Sequence, residues 1–349
     1  MSQRGSLERA LAALRGGRVV RIEPGAPILS VETASAAMLA LADPPNTARL
    51  LISGERAAAL GLANERAAAE PGRPVLLARS EWLDVGAALT LVDPAQDFAR
   101  GPIGPLQPEA IQDEPAAQAG LMLARRAGLL PALWWLADDA LDSLSVPLDA
   151  IASAPPEAFI VARARLPVAD IGEAQVIAFR DGATGEEHVA LVIGAFGGEP
   201  PLVRLHSECL TGDVFGSLKC DCGPQLHEAL RLLTEARGGV LLYLRQEGRG
   251  IGLANKIRAY QLQDRGLDTI DANRRLGFAD DERDYGLAAA MLRTLGIDAV
   301  RLLTNNPAKV AGLAAAGVRV VERVAHHMPT NPHNADYLAT KRKRSGHLA

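Results

Sequence analysis

The chain is poor in residues that would define several protein classes. Only three of its 349 residues are cysteines, an odd number and too few for a disulfide framework. No apolar run reaches the ~18–20 residues needed to span a bilayer. The opening MSQRGSLERA lacks the basic-then-apolar layout of a secretory signal. Formal net charge is −4, so neither a polyanion-binding coat nor an acidic tail dominates. These absences lead us to expect a soluble protein of a reducing compartment, the cytoplasm, with no membrane or nucleic-acid partner.

A further absence is local. No cysteine, histidine, lysine or tyrosine precedes His188, whereas all three tryptophans (82, 134 and 135) lie before it. Residues 1–150 carry a net charge of −5 and residues 151–349 one of +1. Length and this asymmetry together predict two domains, 1–150 and 151–349. The first lacks most side chains used as nucleophiles or bases.

Periodicity predicts a helix over 5–17, strands at 18–22, 50–53 and 75–78, and helices at 55–60 and 119–127. Residues 93–118 read as a long loop and 138–156 as the interdomain linker. Beyond it, strands at 173–179, 188–196, 202–206, 240–244, 299–303 and 318–324 alternate with helices at 224–236, 253–265, 281–295 and 307–316. That alternation predicts an α/β domain with a mixed sheet flanked by helices, preceded by an α+β domain. Asn306 and Pro307 read as N-cap and first helical residue. The basic run 341–344 reads as a solvated tail.

All three cysteines fall in RLHSECLTGDVFGSLKCDCG, as Cys209, Cys220 and Cys222. In an extended segment Cys220 and Cys222 share a face, with Asp221 turned outward, and the polar loop 211–217 brings Cys209 back to them. Three thiolates suit zinc, and three protein ligands leave a position open for water, the mark of a catalytic site. Water there has its pKa lowered to about 7. His206 as a fourth ligand would instead make a closed structural site, and unliganded buried thiols are the third option.

The strand at 240–244 runs into RQEGRGIG, where glycines permit close backbone approach to a ligand ahead of a helix N-terminus. The turn is neither a dinucleotide fingerprint nor a phosphate-binding Walker loop. Glu247 can read ring N–H groups, and Arg245 and Arg249 suit phosphate. DDERD (280–284) and TNNPAK (304–309) read either as helix starts or as ligand-binding runs. Lys309 in the first turn of a helix opposes the dipole, a conflict that a phosphate would resolve.

RLHSECLTGD, SLKCDCG, LLYLRQEGRGIGLANKIRAYQLQD, LGFADDERDY and RLLTNNPAKV, taken together over residues 165–349, resemble GTP cyclohydrolase II. The resemblance implies one zinc ion on Cys209, Cys220 and Cys222, with Mg2+ on the GTP phosphates. It implies hydrolytic opening of the imidazole ring of GTP, with loss of formate and pyrophosphate. The product would be 2,5-diamino-6-(5-phosphoribosylamino)pyrimidin-4(3H)-one, the first step of riboflavin biosynthesis. By the same matching, Arg283 acts as nucleophile or charge stabiliser at the α-phosphate, Asp281 as proton acceptor, and Tyr260 beside the base. Substrate contacts fall to Arg204, Glu208, Gln225, Glu247, Arg249, Thr269, Thr304 and Lys309. The family habit is a homodimer.

The N-terminal half, in ERALAALRGGRVVRIE and AAQAGLMLARRAGLLPA, faintly resembles 3,4-dihydroxy-2-butanone 4-phosphate synthase, a frequent fusion partner of that family. The acidic run expected after the first strand is reduced to Glu23-Pro-Gly-Ala-Pro, and a histidine-bearing catalytic run is excluded. A degenerate, catalytically silent domain is expected. Two alternatives stand beside the cyclohydrolase: a paralogue that stops at a formamide intermediate, and a non-catalytic zinc- or GTP-binding regulatory protein.

Overall fold

The computed structural model describes residues 3–326 except 63–69, 71, 100, 102–103, 138–142, 153–155, 170 and 197. The basic run 341–344 lies outside the described residues. Contacts divide the chain into two units, Met1–Ala154 with Ile251–Glu282, and Pro155–Gly250 with Arg283–Ala349. This differs from the expected 1–150 and 151–349, because a stretch from the middle of the second domain builds into the first unit.

The first unit contains α1 (Gln3–Arg15), β1 (Val20–Glu23), β2 (Pro27–Ser30), α2 (Ala36–Ala42), β3 (Arg49–Ile52), α3 (Gly54–Ala59) and β4 (Val75–Leu77). It continues with α4 (Val85–Val92), β5 (Pro108–Glu109), α5 (Glu114–Arg126), β6 (Ala132–Trp135), β7 (Leu144–Pro147) and α6 (Leu148–Ala152). Ser35, Ser53, Asp84 and Asp113 start α2 to α5, each accepting the amide three residues on. The seven strands run in the order β5-β4-β3-β6-β2-β1-β7, antiparallel except for β1 beside β7. This is the expected α+β unit.

Two expectations for this region fail. The linker at 138–156 contains β7 and α6, because Val146 and Ile151 bury completely and β7 pairs in parallel with β1. The loop at 93–118 is shorter than expected, because Asp113 starts α5 at Glu114.

The second unit contains β8 (Ala158–Val168), β9 (Gly172–Asp181), β10 (Glu187–Gly194), β11 (Leu202–Ser207), α7 (Cys222–Glu235) and β12 (Gly238–Leu244). The stretch Ile251–Glu282 then gives α8 (Leu253–Gln263) and α9 (Thr269–Arg275) to the first unit. The second unit resumes with α10 (Tyr285–Thr294), β13 (Ala299–Leu303), α11 (Pro307–Ala315) and β14 (Arg319–Val324). Its sheet order is β14-β13-β11-β12-β10-β9-β8. Strands β14, β13, β11 and β12 are mutually parallel, and β10, β9 and β8 are antiparallel.

Alternation along the strands sends Val203, Leu242 and Val300 to one face against Leu287 and Met291 of α10. Leu202, Leu241 and Leu303 go to the other, against Ala229 and Leu233 of α7. The mixed sheet flanked by helices is as expected. The helix expected from 281 begins only at Tyr285, because Asp284 is the cap that accepts Gly286 and Leu287 amides.

Candidate active site

In the second unit β11 lies between β12 and β13, both of which follow it in the chain. The connections leaving β11 and its neighbours therefore diverge to opposite sides at its carboxyl end. Open α/β sheets place ligands at such a switch point. The motifs found in the sequence sit there: Glu208 and Cys209 follow β11, Glu247 and Arg249 follow β12, and Thr304 to Lys309 follow β13.

Chain direction reverses after Cys209 in a single π-type turn, Leu210–Val214, and Cys222 opens α7. Cys220 and Cys222 therefore converge by way of a helix start and not along an extended strand. Asp221 is buried, not turned outward, and accepts from the Gln225 amide at 2.5 Å. Sγ atoms of all three cysteines lie within 4.8 Å of one another, with Cys209 and Cys220 at 3.7 Å. Two thiolates on a tetrahedral zinc, at about 2.3 Å each, stand about 3.8 Å apart.

Gly212 lines this cradle. A Cβ there would lie 2.8 Å from Cys220 Sγ and 3.0 Å from Cys209 Sγ. The spacing, the soft donors and the glycine-sized gap fit a zinc ion. Hydrogen bonding with Cys209 is the foremost cause raising the Cys220 thiol, and with burial it raises Cys222 far above its ordinary value. Three crowded sulfurs call for a cation.

His206 takes no part in the thiolate group. Its Nε2 lies 3.1 and 3.2 Å from the two oxygens of Asp213. Asp213 also accepts from the Cys209 amide at 3.0 Å and the Tyr243 hydroxyl at 2.8 Å. Tyr243 stacks on His206 with ring centroids 5.6 Å apart. Burial lowers His206, opposed by the bond to Asp213, and raises Tyr243 together with that same carboxylate. Neither Asp213 nor Tyr243 stands out in the sequence as a candidate; the only signal is that Asp213 closes the first cysteine motif.

The remaining candidates differ in how they are held. Arg204 is buried, donating to Leu303 O at 3.2 Å and Gln225 Oε1 at 2.5 Å, and burial lowers it to about 10. Buried Lys309 donates from Nζ to Leu205 O at 2.7 Å, which gives the ammonium a carbonyl partner at the end of β11. Asn306 caps α11 as expected, and Thr304 Oγ1 accepts its amide at 3.0 Å.

Glu247 accepts the amides of Leu210 at 2.8 Å and Gly248 at 2.9 Å, tying the glycine-rich turn to the cysteine loop. Arg249 holds φ at +63° in that turn, an unusual conformation for a side chain with a Cβ. Glu208, raised by burial, faces Arg245 at 3.7 Å. Arg283 lies over the Tyr285 ring at 5.6 Å. Tyr260, Thr269 and Asp281 belong to the first unit, where Tyr260 sits on α8 beside Lys256 and Thr269 opens α9.

An α/β unit with three thiolates at the switch point of its sheet, ringed by arginine, lysine and carboxylate groups, has the layout of a metal-centred enzyme for an anionic substrate. The sequence family described as GTP cyclohydrolase II matches residues 159–325. GTP cyclohydrolase-2 of Azotobacter vinelandii is 58% identical over 189 residues, covering 54% of this chain and 90% of that protein. GTP cyclohydrolase-2 of Azospirillum brasilense is 56% identical over 189 residues, covering 54% of this chain and 49% of that one. The riboflavin biosynthesis protein RibBA of Bacillus subtilis is 56% identical over 181 residues, 51% of this chain and 46% of that one. The match thus spans about half the length of the last two relatives. The chain belongs to the GTP cyclohydrolase II family of hydrolases. A two-domain 3,4-dihydroxy-2-butanone 4-phosphate synthase from A. baumannii aligns over 92% of this chain and 99% of that one. Its 15% identity and TM-score of 0.31 are too slight to bear on fold or function.

Proposed function

We propose that this protein is a zinc-dependent GTP cyclohydrolase II of the cytoplasm. It would open the imidazole ring of GTP, releasing formate and pyrophosphate to give 2,5-diamino-6-(5-phosphoribosylamino)pyrimidin-4(3H)-one for riboflavin biosynthesis. The observation that carries this reading is a group of three cysteine sulfurs that His206, held by Asp213, does not join. Three protein ligands leave the fourth position to water or substrate. Cys209, Cys220 and Cys222 would hold the zinc, which when bound supplies Lewis acidity and a nucleophile at neutral pH.

The chain's own groups do the rest. Arg249 and Lys309 neutralise the triphosphate, whose Mg2+ shares that charge. Glu208, Gln225, Thr269 and Thr304 orient the nucleotide, with Tyr260 beside the base. Arg204, fully buried, fixes Gln225 at 2.5 Å, and Glu247 holds the turn that presents Arg249. Asp281 accepts a proton, and Arg283 stabilises charge at the α-phosphate, a role that suits a guanidinium that keeps its proton better than nucleophilic attack does. Residues 1–150, which contain no histidine, cysteine, lysine or tyrosine, are catalytically silent. The family habit supports a homodimer.

The test is incubation of zinc-loaded protein with GTP and Mg2+, with formate and pyrophosphate assayed together. Absence of both refutes the proposal. Pyrophosphate with a formamide product indicates the truncated reaction, and X-ray absorption showing three sulfurs and one nitrogen at zinc indicates a closed structural site. Ribulose 5-phosphate should yield no four-carbon phosphate.

A further inference from the structure

The segment Ile251–Glu282 lies inside the family-matched span 159–325, yet it is built into the first unit. Its buried Ala259, Leu262, Leu276 and Phe278 belong to one apolar cluster with Leu50 of β3 and Trp134 of β6. Polar groups join the same parts. The carboxylate of Asp97, wholly buried, receives Arg56 at 2.6 and 2.8 Å and Arg275 of α9 at 2.7 Å. Arg56 also donates to the Arg275 carbonyl at 3.1 Å. On α8, Arg258 meets Glu32 at 2.8 Å.

A buried carboxylate shared by two guanidinium groups is costly to open from either side, so each part depends on the other. The Azotobacter relative, matched over 90% of its length, has no room for a counterpart of residues 1–154. In this chain the first unit supplies the core against which the segment packs.

We propose that residues 1–154 are a fold-completing scaffold for the cyclohydrolase half. They and Ile251–Glu282 fold as one cooperative body, which carries Tyr260, Thr269 and Asp281, the residues assigned to GTP under the proposed function. The second clause rests on the cyclohydrolase reading, and the first does not.

Native-state hydrogen exchange of the full-length, zinc-loaded chain in graded guanidinium tests the first clause. Amides of α8 and α9 should share one opening transition with β3 and β6, apart from that of β11 to β13. Asp97→Asn and the milder Arg275→Gln should both speed exchange in α8, α9, β3 and β6 in parallel. Exchange of α8 and α9 that follows β11 to β13, or that is unmoved by either variant, overturns the proposal.

GTP kinetics test the second clause. Arg275→Gln should raise KM at least about fivefold with kcat within about twofold and zinc content unchanged. Leu11→Ala, which loosens the first unit outside the shared cluster, should leave KM unchanged; an equal rise in both variants overturns the positioning role. If wild type releases no formate, the functional reading fails while the exchange result still decides the scaffold.

Discussion

Asp213 offers a test of the proposed metal centre that leaves all three cysteines in place. Its carboxylate, 3% exposed, receives the Cys209 amide, the Tyr243 hydroxyl and His206 Nε2. Asp213→Asn keeps the volume but removes the charge and one acceptor oxygen: the remaining oxygen serves the Cys209 amide and the Tyr243 hydroxyl as a neutral acceptor, and the NH2 faces His206, which keeps a bond only by moving its proton to Nδ1. A hydrogen bond to a charged group contributes about 1.5–3 kcal/mol, and removal of one partner leaves the other buried and unsatisfied. Loss of the charged acceptor behind Cys209 corresponds to a weakening of metal affinity of about 10-fold or more, on the order seen when groups that orient a metal ligand are altered. Tyr243→Phe deletes one donor to that carboxylate but leaves its bond to the Cys209 amide in place, so zinc affinity should fall by less than in Asp213→Asn, roughly fivefold at most. The assay is zinc competition against a chromogenic chelator, with circular dichroism to establish folding. X-ray absorption of the Asp213→Asn protein adds a second readout, since a released His206 would appear as a nitrogen ligand. A folded Asp213→Asn protein that binds zinc within about twofold of wild type refutes the reasoning.

Other perturbations have equally definite outcomes. Gly212→Ala places a methyl group 2.8 Å from Cys220 Sγ, and elemental analysis should find well under one zinc per chain. Glu247→Gln puts an NH2 against one of the amides of Leu210 and Gly248, at a cost of about 1–3 kcal/mol. Faster exchange of those two amides and a reduced formate rate should follow, whereas unchanged exchange would remove Glu247 from this role. Burial holds His188, His206 and His326 below their ordinary 6.5, His326 at about 3. The unfolded chain then binds protons below pH 6.5 that the folded chain does not. Stability should therefore fall as pH drops from 6.5 toward 3, by up to about 1.4 kcal/mol per unit per histidine. Melting temperatures between pH 7.5 and 5 check this, and His326→Gln should flatten the slope.

Much of the chemistry was legible because it is local. Asn306 followed by Pro307 starts α11 as expected, and three cysteines within fourteen positions mark a candidate metal site before any fold is known. Errors arose where local signals compete or where pairing is distant. Five charged residues from Asp280 to Asp284 all read as a helix start, but Asp284 is the one that caps α10, through the Gly286 and Leu287 amides, while Glu282 takes the Ala279 amide outside the helix. Strand β7 has just Leu144 and Val146 to announce it, and its partner β1 lies more than a hundred residues away. Asp213 escaped notice because a single carboxylate in a loop carries no sign of the three donors that converge on it.

The largest misreading, the membership of Ile251–Glu282, has a more general cause. The apolar stripe of α8 shows that Ala259 and Leu262 face a core, but a stripe holds no information about which sheet provides it. Sequence order favours the nearest sheet, and the chain departs from that order here. Strand order has the same effect on the active site. Motifs after β11, β12 and β13 read as separate runs, each with an ordinary explanation as a turn or a cap. Only the placement of β11 between β12 and β13 brings Cys209, Glu247 and Thr304 to one edge. Capping explains Asn306, but no capping argument explains why Lys309, buried in the first turn of α11, reaches back to the carbonyl of Leu205. Topology supplies that explanation, because parallel β11 and β13 end side by side and the helix leaving β13 must start over the end of β11. The ordinary readings fail jointly at this edge, although each is adequate on its own.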